Sequence, residues 1–203
     1  MYYSKEEVNE NLLTWYPKLV HAIEEAIDAW QKDGVCMRPH FSPVSTAATI
    51  NDYVREKLKS LMLQEVGGEF FVDNCAFTVI LDGKFALRPK KVDKNLKSAN
   101  IRTSRVNAIK EQEYSLPGLE SEVFFLTLGY RLSDFQELQG VFVIMEDAQK
   151  AVWSIKIDAS ADKQEQIGLN LWQQETAAET AAETAPQKKR VRIKTSAAKA
   201  KEA

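Results

Sequence analysis

The hydrophobic period of the chain changes at Gly67-Gly68, and this change limits the folds that the chain can adopt. Before it, apolar residues recur at spacings of three and four, which is typical of amphipathic helices. After it, residues 69–81 are rich in β-branched and aromatic side chains, which favour strands. Helices that come first and strands that follow predict an α+β fold rather than a regular alternation of the two.

Three helices are predicted before the change of period. The first lies within residues 1–15, with Ser4 as its cap and acidic residues in its first turn. The second covers 17–34, where a proline suits the first turn and a glycine ends the helix. The third starts at Ser45 or Thr46 and runs to about residue 64.

A hairpin is predicted next. We interpret residues 69–81 as one strand, and the Asp82-Gly83 pair after it is a strong hairpin signal. The return strand then covers 84–92. Alternation puts Arg88 and Lys90 on one face of this strand. Proline cannot donate to a ladder, so Pro89 indicates an edge strand or a bulge.

The rest of the fold is a short helix from Thr103 or Ser104 to about Tyr114 and three strands. These strands, over 123–132, 139–145 and 152–157, are short and close together, which favours an antiparallel meander. The prediction is therefore one α+β domain, residues 1–172, in which N-terminal helices over 5–65 pack on a mostly antiparallel sheet made from 69–157. Residues 173–203 are low in complexity and end in a basic segment, which predicts a linker and a disordered tail.

Positive charge is concentrated in two blocks of a chain whose formal net charge is only -2. Residues 84–110 hold nine basic side chains and one acidic side chain, Asp93. Residues 188–203 hold seven basic side chains and one acidic side chain. Acidic stretches separate the two blocks. Such an asymmetry is informative about partners, and a basic block points to a polyanion.

Several short motifs, taken in order along the chain, carry a resemblance. They are Arg88-Pro89-Lys90-Lys91, Asn100-Ile101-Arg102-Thr103, Leu116-Pro117-Gly118 and Gly129-Tyr130. Over about residues 44–157 the chain resembles uncharacterised proteins of prophages and integrative elements, which share an Arg-x-Lys-Lys strand, an Asn-Ile-x-Thr loop, a Leu-Pro-Gly turn and a Gly-Tyr strand. Here a proline replaces the more common aromatic residue after Arg88. The resemblance implies a bacteriophage-type accessory protein, whose genes often neighbour a zinc metallopeptidase linked to repressor control.

We therefore predict a non-enzymatic protein that binds nucleic acid, DNA or RNA, through a central basic surface and a basic tail. Lysine and arginine neutralise phosphates, and no sequence-reading motif is recognised. Two other interpretations of the central basic block are open. One is a solvated edge strand, since edge lysines commonly prevent aggregation, and the other is that its charges pair with acids elsewhere in the fold. The candidate binding residues are Arg88, Lys90, Lys91, Lys97, Arg102, Arg105, Lys188, Lys189, Arg190 and Arg192.

Two other functions stay open at this point. A protein-interaction or regulatory module, such as half of a toxin–antitoxin or repressor-control pair, would use the charged blocks to bind a protein partner. A metal-dependent nuclease would need carboxylates beside a lysine, for which Asp73, Asp82 and Lys90 are the candidates. The Asp-Gly turn explains Asp82 better, and no acid-x-lysine pair stands on the return strand.

The remaining expectations are absences. Two cysteines and two histidines do not have the spacing of a zinc site, and we expect neither a metal nor a cofactor. The longest apolar runs have about five residues, far short of a membrane span. The first residues carry acids and lack a signal-peptide pattern. We therefore expect a cytoplasmic protein.

Overall fold

The computed structural model describes residues 3–34, 40–73, 76–98, 103–116, 122–147 and 150–159. These residues fall within one compact unit that spans residues 1–168. The described part of the chain forms four helices and six strands. In chain order they are α1 Lys5–Leu12, α2 Tyr16–Asp33, α3 Pro43–Gln64, β1 Gly68–Asp73, β2 Ala76–Leu81, β3 Phe85–Val92, α4 Ser104–Lys110, β4 Phe124–Leu132, β5 Leu138–Asp147 and β6 Lys150–Ile157.

The helices begin where side chains can cap them. At α1, the Glu7 backbone N–H donates to Ser4 Oγ at 3.2 Å, and the Ser4 N–H donates to Glu7 Oε2 at 2.8 Å, which is a capping box. The start of α3 differs from the prediction by two or three residues. Ser42 is the cap, because the backbone N–H of Ser45 donates to its hydroxyl at 3.1 Å.

The six strands form one sheet in the order β1-β2-β3-β4-β5-β6. All neighbours pair antiparallel except β3 and β4, which are parallel. A parallel pair needs a long crossover connection, and the stretch that contains α4 supplies it. The predicted α+β fold with a mostly antiparallel sheet is confirmed, as is the meander of β4, β5 and β6.

The prediction of one strand over 69–81 is wrong. The stretch forms two strands, β1 and β2, which pair as a hairpin from Gly68↔Leu81 to Asp73↔Ala76. β1 ends at Asp73 and an asparagine follows it in the sequence, and both residue types favour turns. The strand composition on both sides of this polar pair led to the prediction of a single strand.

The prediction of an edge position for β3 needs a correction. β3 lies between β2 and β4, and it pairs with β4 along its whole length from Phe85 to Val92. Its ladder with β2, however, covers only Phe85–Leu87. Pro89 therefore lies beyond the end of that ladder, where its missing N–H interrupts no pairing with β2.

The sheet carries apolar layers on both faces. Helices α1, α2 and α3 pack on one face, where they bury large side chains including Trp30, Tyr16 and Phe85. A smaller cluster on the other face joins Ala86 and Phe125 to Ile109 of α4. The predicted alternation along β3 is confirmed, because Phe85 and Leu87 face the three helices while Ala86 faces α4.

Within the described residues, no helix has the length and apolar character that crossing a bilayer requires.

One side-chain hydrogen bond ties the helical layer to the β2–β3 turn. The Trp15 indole N–H donates to Asp82 Oδ2 at 2.9 Å, and the Asp82 backbone N–H donates to the Gly67 carbonyl at 2.7 Å. Asp82 has a φ of 52°, in the left-handed region that few residues other than glycine, asparagine and aspartate adopt readily. The residue therefore joins the turn, the end of α3 and the start of α2.

We expect Asp82→Ala to lower the free energy of unfolding by about 1–3 kcal/mol, because it removes the acceptor of the Trp15 N–H and strains the backbone. Asp82→Asn is the matched control, since asparagine keeps an acceptor oxygen and tolerates positive φ; its loss should be clearly smaller. Urea denaturation measures both. Equal stability of the alanine variant and the parent protein would contradict this role.

Candidate anion-binding groove

A groove opens beside the second half of β3, beyond the end of its pairing with β2. It encloses about 520 Å³. One wall comes from α3, the floor comes from β3 and β4, and the other wall comes from the loop after β3. The lining residues are Ala47, Ala48, Asn51, Lys90, Lys91, Val92, Asp93, Lys97, Ser98 and Tyr130.

Three of the predicted binding residues, Lys90, Lys91 and Lys97, meet in this groove. Within the described residues, none of the three has an ion-pair partner. The groove contains one acid, Asp93, whose Oδ1 accepts the backbone N–H groups of Asn95 and Lys97, both at 2.8 Å. Because three lysines line the groove beside one aspartate, the groove has a net positive charge.

The loop that carries Lys97 is held by several local contacts. The Asp93 N–H donates to the Lys97 carbonyl at 3.0 Å, and Ser98 forms an isolated antiparallel bridge with Val92. Leu96 is buried although its φ is 58°, a conformation that costs about 1 kcal/mol or more for a leucine. Burial of the leucine side chain offsets this strain. Lys97 therefore lies on a turn whose backbone is held by hydrogen bonds.

Arg88 and Lys90 are half-buried cations on the α4 side of β3. Desolvation lowers the pKa of the Lys90 ammonium, and the positive charges of Arg88 and Arg55 lower it further. Desolvation also lowers the pKa of Arg88, with a further contribution from Arg105. Both shifts have the same physical meaning, which is that the folded protein holds these charges where water solvates them poorly.

Arg88 and Lys90 also border a small cavity of about 10 Å³, the space of roughly one water molecule. Glu146 lies at this cavity and partly compensates both cations. Its carboxylate oxygens already have other partners, because Lys110 Nζ lies 2.6 Å from Oε2 and Ser98 Oγ donates to Oε1 at 3.3 Å. Among the described residues, Arg88 therefore has no carboxylate of its own.

The other members of the predicted site do not join the groove. Arg105 Nη1 lies 2.8 Å from Asp73 Oδ2, and the Tyr114 hydroxyl donates to the same oxygen at 3.1 Å. The guanidinium also lies over the Tyr114 ring, at 5.0 Å from its centroid, so Arg105 ties α4 to β1. The remaining candidates, Arg102, Lys188, Lys189, Arg190 and Arg192, lie outside the described residues.

The residues proposed for a nuclease centre are not assembled. Asp73 ends β1 and Asp82 follows β2, so they lie at opposite ends of this hairpin, on the order of 20 Å apart along the strand. Both carboxylates are also occupied, by Arg105 and by Trp15. Within the described part of the chain, no cluster of three or more potential metal ligands occurs.

Sequence reasoning missed the contribution of α3 and β4 to the groove. Ala47, Ala48 and Asn51 come from the second and third turns of α3, and Tyr130 comes from β4. Parallel pairing aligns Tyr130 directly with Lys91, although 39 positions of sequence separate them. No local signal in the sequence indicates this contact.

Comparison with known proteins finds no family model, no curated protein and no solved structure that matches this chain. The resemblance to proteins of prophages and integrative elements therefore stays a prediction. The function is inferred below from the charges and the shape of the groove.

We expect Arg88→Met to raise the free energy of unfolding by about 1 kcal/mol, because methionine fills the site without a poorly solvated charge. Arg105→Met should have the opposite effect and lower it by about 1–3 kcal/mol, since Asp73 would lose its hydrogen-bonded cation. The exposed Lys94→Met serves as the control and should change little. If Arg88→Met destabilises the protein as much as Arg105→Met does, the charge of Arg88 stabilises the fold, and the interpretation of Arg88 as a poorly solvated charge without a partner is wrong.

Proposed function

We propose that the protein is a non-enzymatic nucleic-acid-binding protein and that Lys90, Lys91 and Lys97 contact backbone phosphates in the groove. One observation carries this proposal. Three lysines without ion-pair partners in the described part of the chain line one groove, and Asp93 is the single acid among its lining residues, so the groove has a net positive charge. Arg88 lies behind Lys90 and adds to the positive potential.

The electrostatics of the free protein favour an anionic ligand. Lys90 is poorly solvated and is surrounded by the positive charges of Arg88 and Arg55. A phosphate in the groove would supply the missing negative charge and so offset part of the desolvation cost. It would also release counterions from the nucleic acid, which makes the binding dependent on salt.

The expected recognition is tolerant of sequence. Lysine ammonium groups act as point charges that attract phosphates and carry no direct information about bases. The basic segment 188–203 would add a second phosphate-binding region to the chain. Such a protein fits the cytoplasmic accessory role that the resemblance to mobile-element proteins implies.

We expect the combined change Lys90→Gln, Lys91→Gln and Lys97→Gln to weaken nucleic-acid binding. Loss of three phosphate contacts should reduce the slope of log affinity against log salt by about 2–3 units. Fluorescence anisotropy of a labelled oligonucleotide, measured on the full chain across a salt series, gives both quantities.

The matched control is Lys5→Gln, Lys32→Gln and Lys84→Gln, which removes the same charge at positions outside the groove. It should keep most of the affinity and of the salt slope. Equal losses in both triple variants would mean that net charge, and not the groove, determines binding. If the parent protein binds neither DNA nor RNA, the nucleic-acid proposal is wrong and a protein partner becomes the better hypothesis.

A further inference from the structure

We infer that the groove accepts one unpaired nucleotide of a single strand and that the Tyr130 hydroxyl hydrogen-bonds this nucleotide. The inference rests on the proposed function, because it names the form of nucleic acid that the same groove takes. It depends on three features of the groove, which are its floor, its size and the small side chains of its α3 wall.

The floor of the groove places a lysine beside a tyrosine. Lys91 and Tyr130 are register partners on the parallel strands β3 and β4, so their side chains leave the same face of the sheet. Both line the groove. An ammonium group and a phenol therefore lie side by side beneath the same opening.

The Tyr130 hydroxyl lacks a hydrogen-bond partner within the described residues. The side chain is 1% exposed, and burial raises the pKa of its hydroxyl, with a smaller contribution from the charge of Asp52. The hydroxyl consequently stays protonated at neutral pH and is able to donate. Unlike the Tyr16 hydroxyl, it is not fully enclosed, so a ligand acceptor in the groove can take its hydrogen bond.

The size of the groove favours a single strand. Its volume of about 520 Å³ lies within the range of small-ligand pockets, which is roughly 300–1,000 Å³. A base in a duplex is stacked and paired, so bringing it into a pocket costs a few kcal/mol. A base of a single strand enters without this unpairing cost.

The α3 wall leaves room for such a base. Ala47 and Ala48 present only methyl groups, which form a low apolar surface, and Asn51 adds an amide that both donates and accepts hydrogen bonds. A base could lie against the alanines while its polar edge meets Asn51 and the Tyr130 hydroxyl. The lysines would hold the flanking phosphates.

Tyr130→Phe tests the inference, because it removes the hydroxyl and keeps the ring. Tyr16→Phe is the matched control. The Tyr16 hydroxyl is buried and has no hydrogen-bond partner among the described residues, and burial raises its pKa, but the residue lies on α2 outside the groove. Anisotropy titrations of the full chain use a 12-nucleotide single strand and a 12-base-pair duplex, chosen as roughly one turn of helix.

We expect Tyr130→Phe to weaken single-strand binding by about 5-fold, the loss of one hydrogen bond, and to leave duplex binding within about 2-fold of the parent. Tyr16→Phe should change neither. Ala48→Leu is a second variant that fills the groove from a helix surface without loss of helix propensity, and it should also weaken single-strand binding selectively. Thermal melting shows whether each variant is folded. If Tyr130→Phe does not fold, the effect of Ala48→Leu on single-strand binding tests the inference.

The outcomes separate this inference from the proposed function. If the triple lysine variant weakens binding but Tyr130→Phe and Ala48→Leu do not, the nucleotide pocket is wrong and phosphate binding by the lysines stands. If Tyr130→Phe weakens single-strand and duplex binding equally, the preference for a single strand is wrong. If the triple lysine variant binds as the parent does, the proposed function fails and the inference fails with it.

Discussion

The pairing of β3 is the constraint on which the rest of the site depends. This strand pairs antiparallel with β2 over three residues only, and then runs on beside β4 as a parallel partner. Since the β2 ladder ends at Leu87, the second half of β3 is left to border a groove under α3. The same residues carry three of the nine basic side chains of the central basic block. The geometry of one strand therefore sets both the shape of the groove and the charge that it presents.

The fold divides the central basic block into cations that have carboxylate partners and stabilise the fold, and cations that have no ion-pair partner within the described residues. Arg105 and Lys110 have carboxylate partners and join α4 to the sheet. Arg88 and Lys90 are held where desolvation and nearby positive charges disfavour their charged forms, and the Tyr130 hydroxyl has no hydrogen-bond partner within the described residues. Natural chains tolerate such local costs mainly at sites that bind something. The groove thus gathers features that stability alone does not explain.

Local patterns predicted most of the secondary structure. Ser4 as a cap, the Asp82-Gly83 turn and the alternation of Phe85, Ala86 and Leu87 across the sheet all follow from interactions between near neighbours in sequence. The failures have equally specific causes. Residues 69–81 have strand composition on both sides of one Asp-Asn pair, so the pair was passed over and two paired strands were predicted as one. Pro89 correctly indicated that β3 lacks a pairing strand on one side. Pairing with β2 is lost only after Leu87, however, and β3 lies in the interior of the sheet.

By itself the sequence determined the α+β class, the order of the elements apart from the division of β1 from β2, and the position of the basic block on and after β3. Each of these depends on residue spacing or on composition within a short window. Only the tertiary structure decided which charges are paired, because Asp73 and Glu146 reach their cations across the sheet from distant positions. It also decided that α3 and Tyr130 complete the groove. Such contacts depend on strand order and parallel register, which long-range packing selects and no short window of sequence encodes.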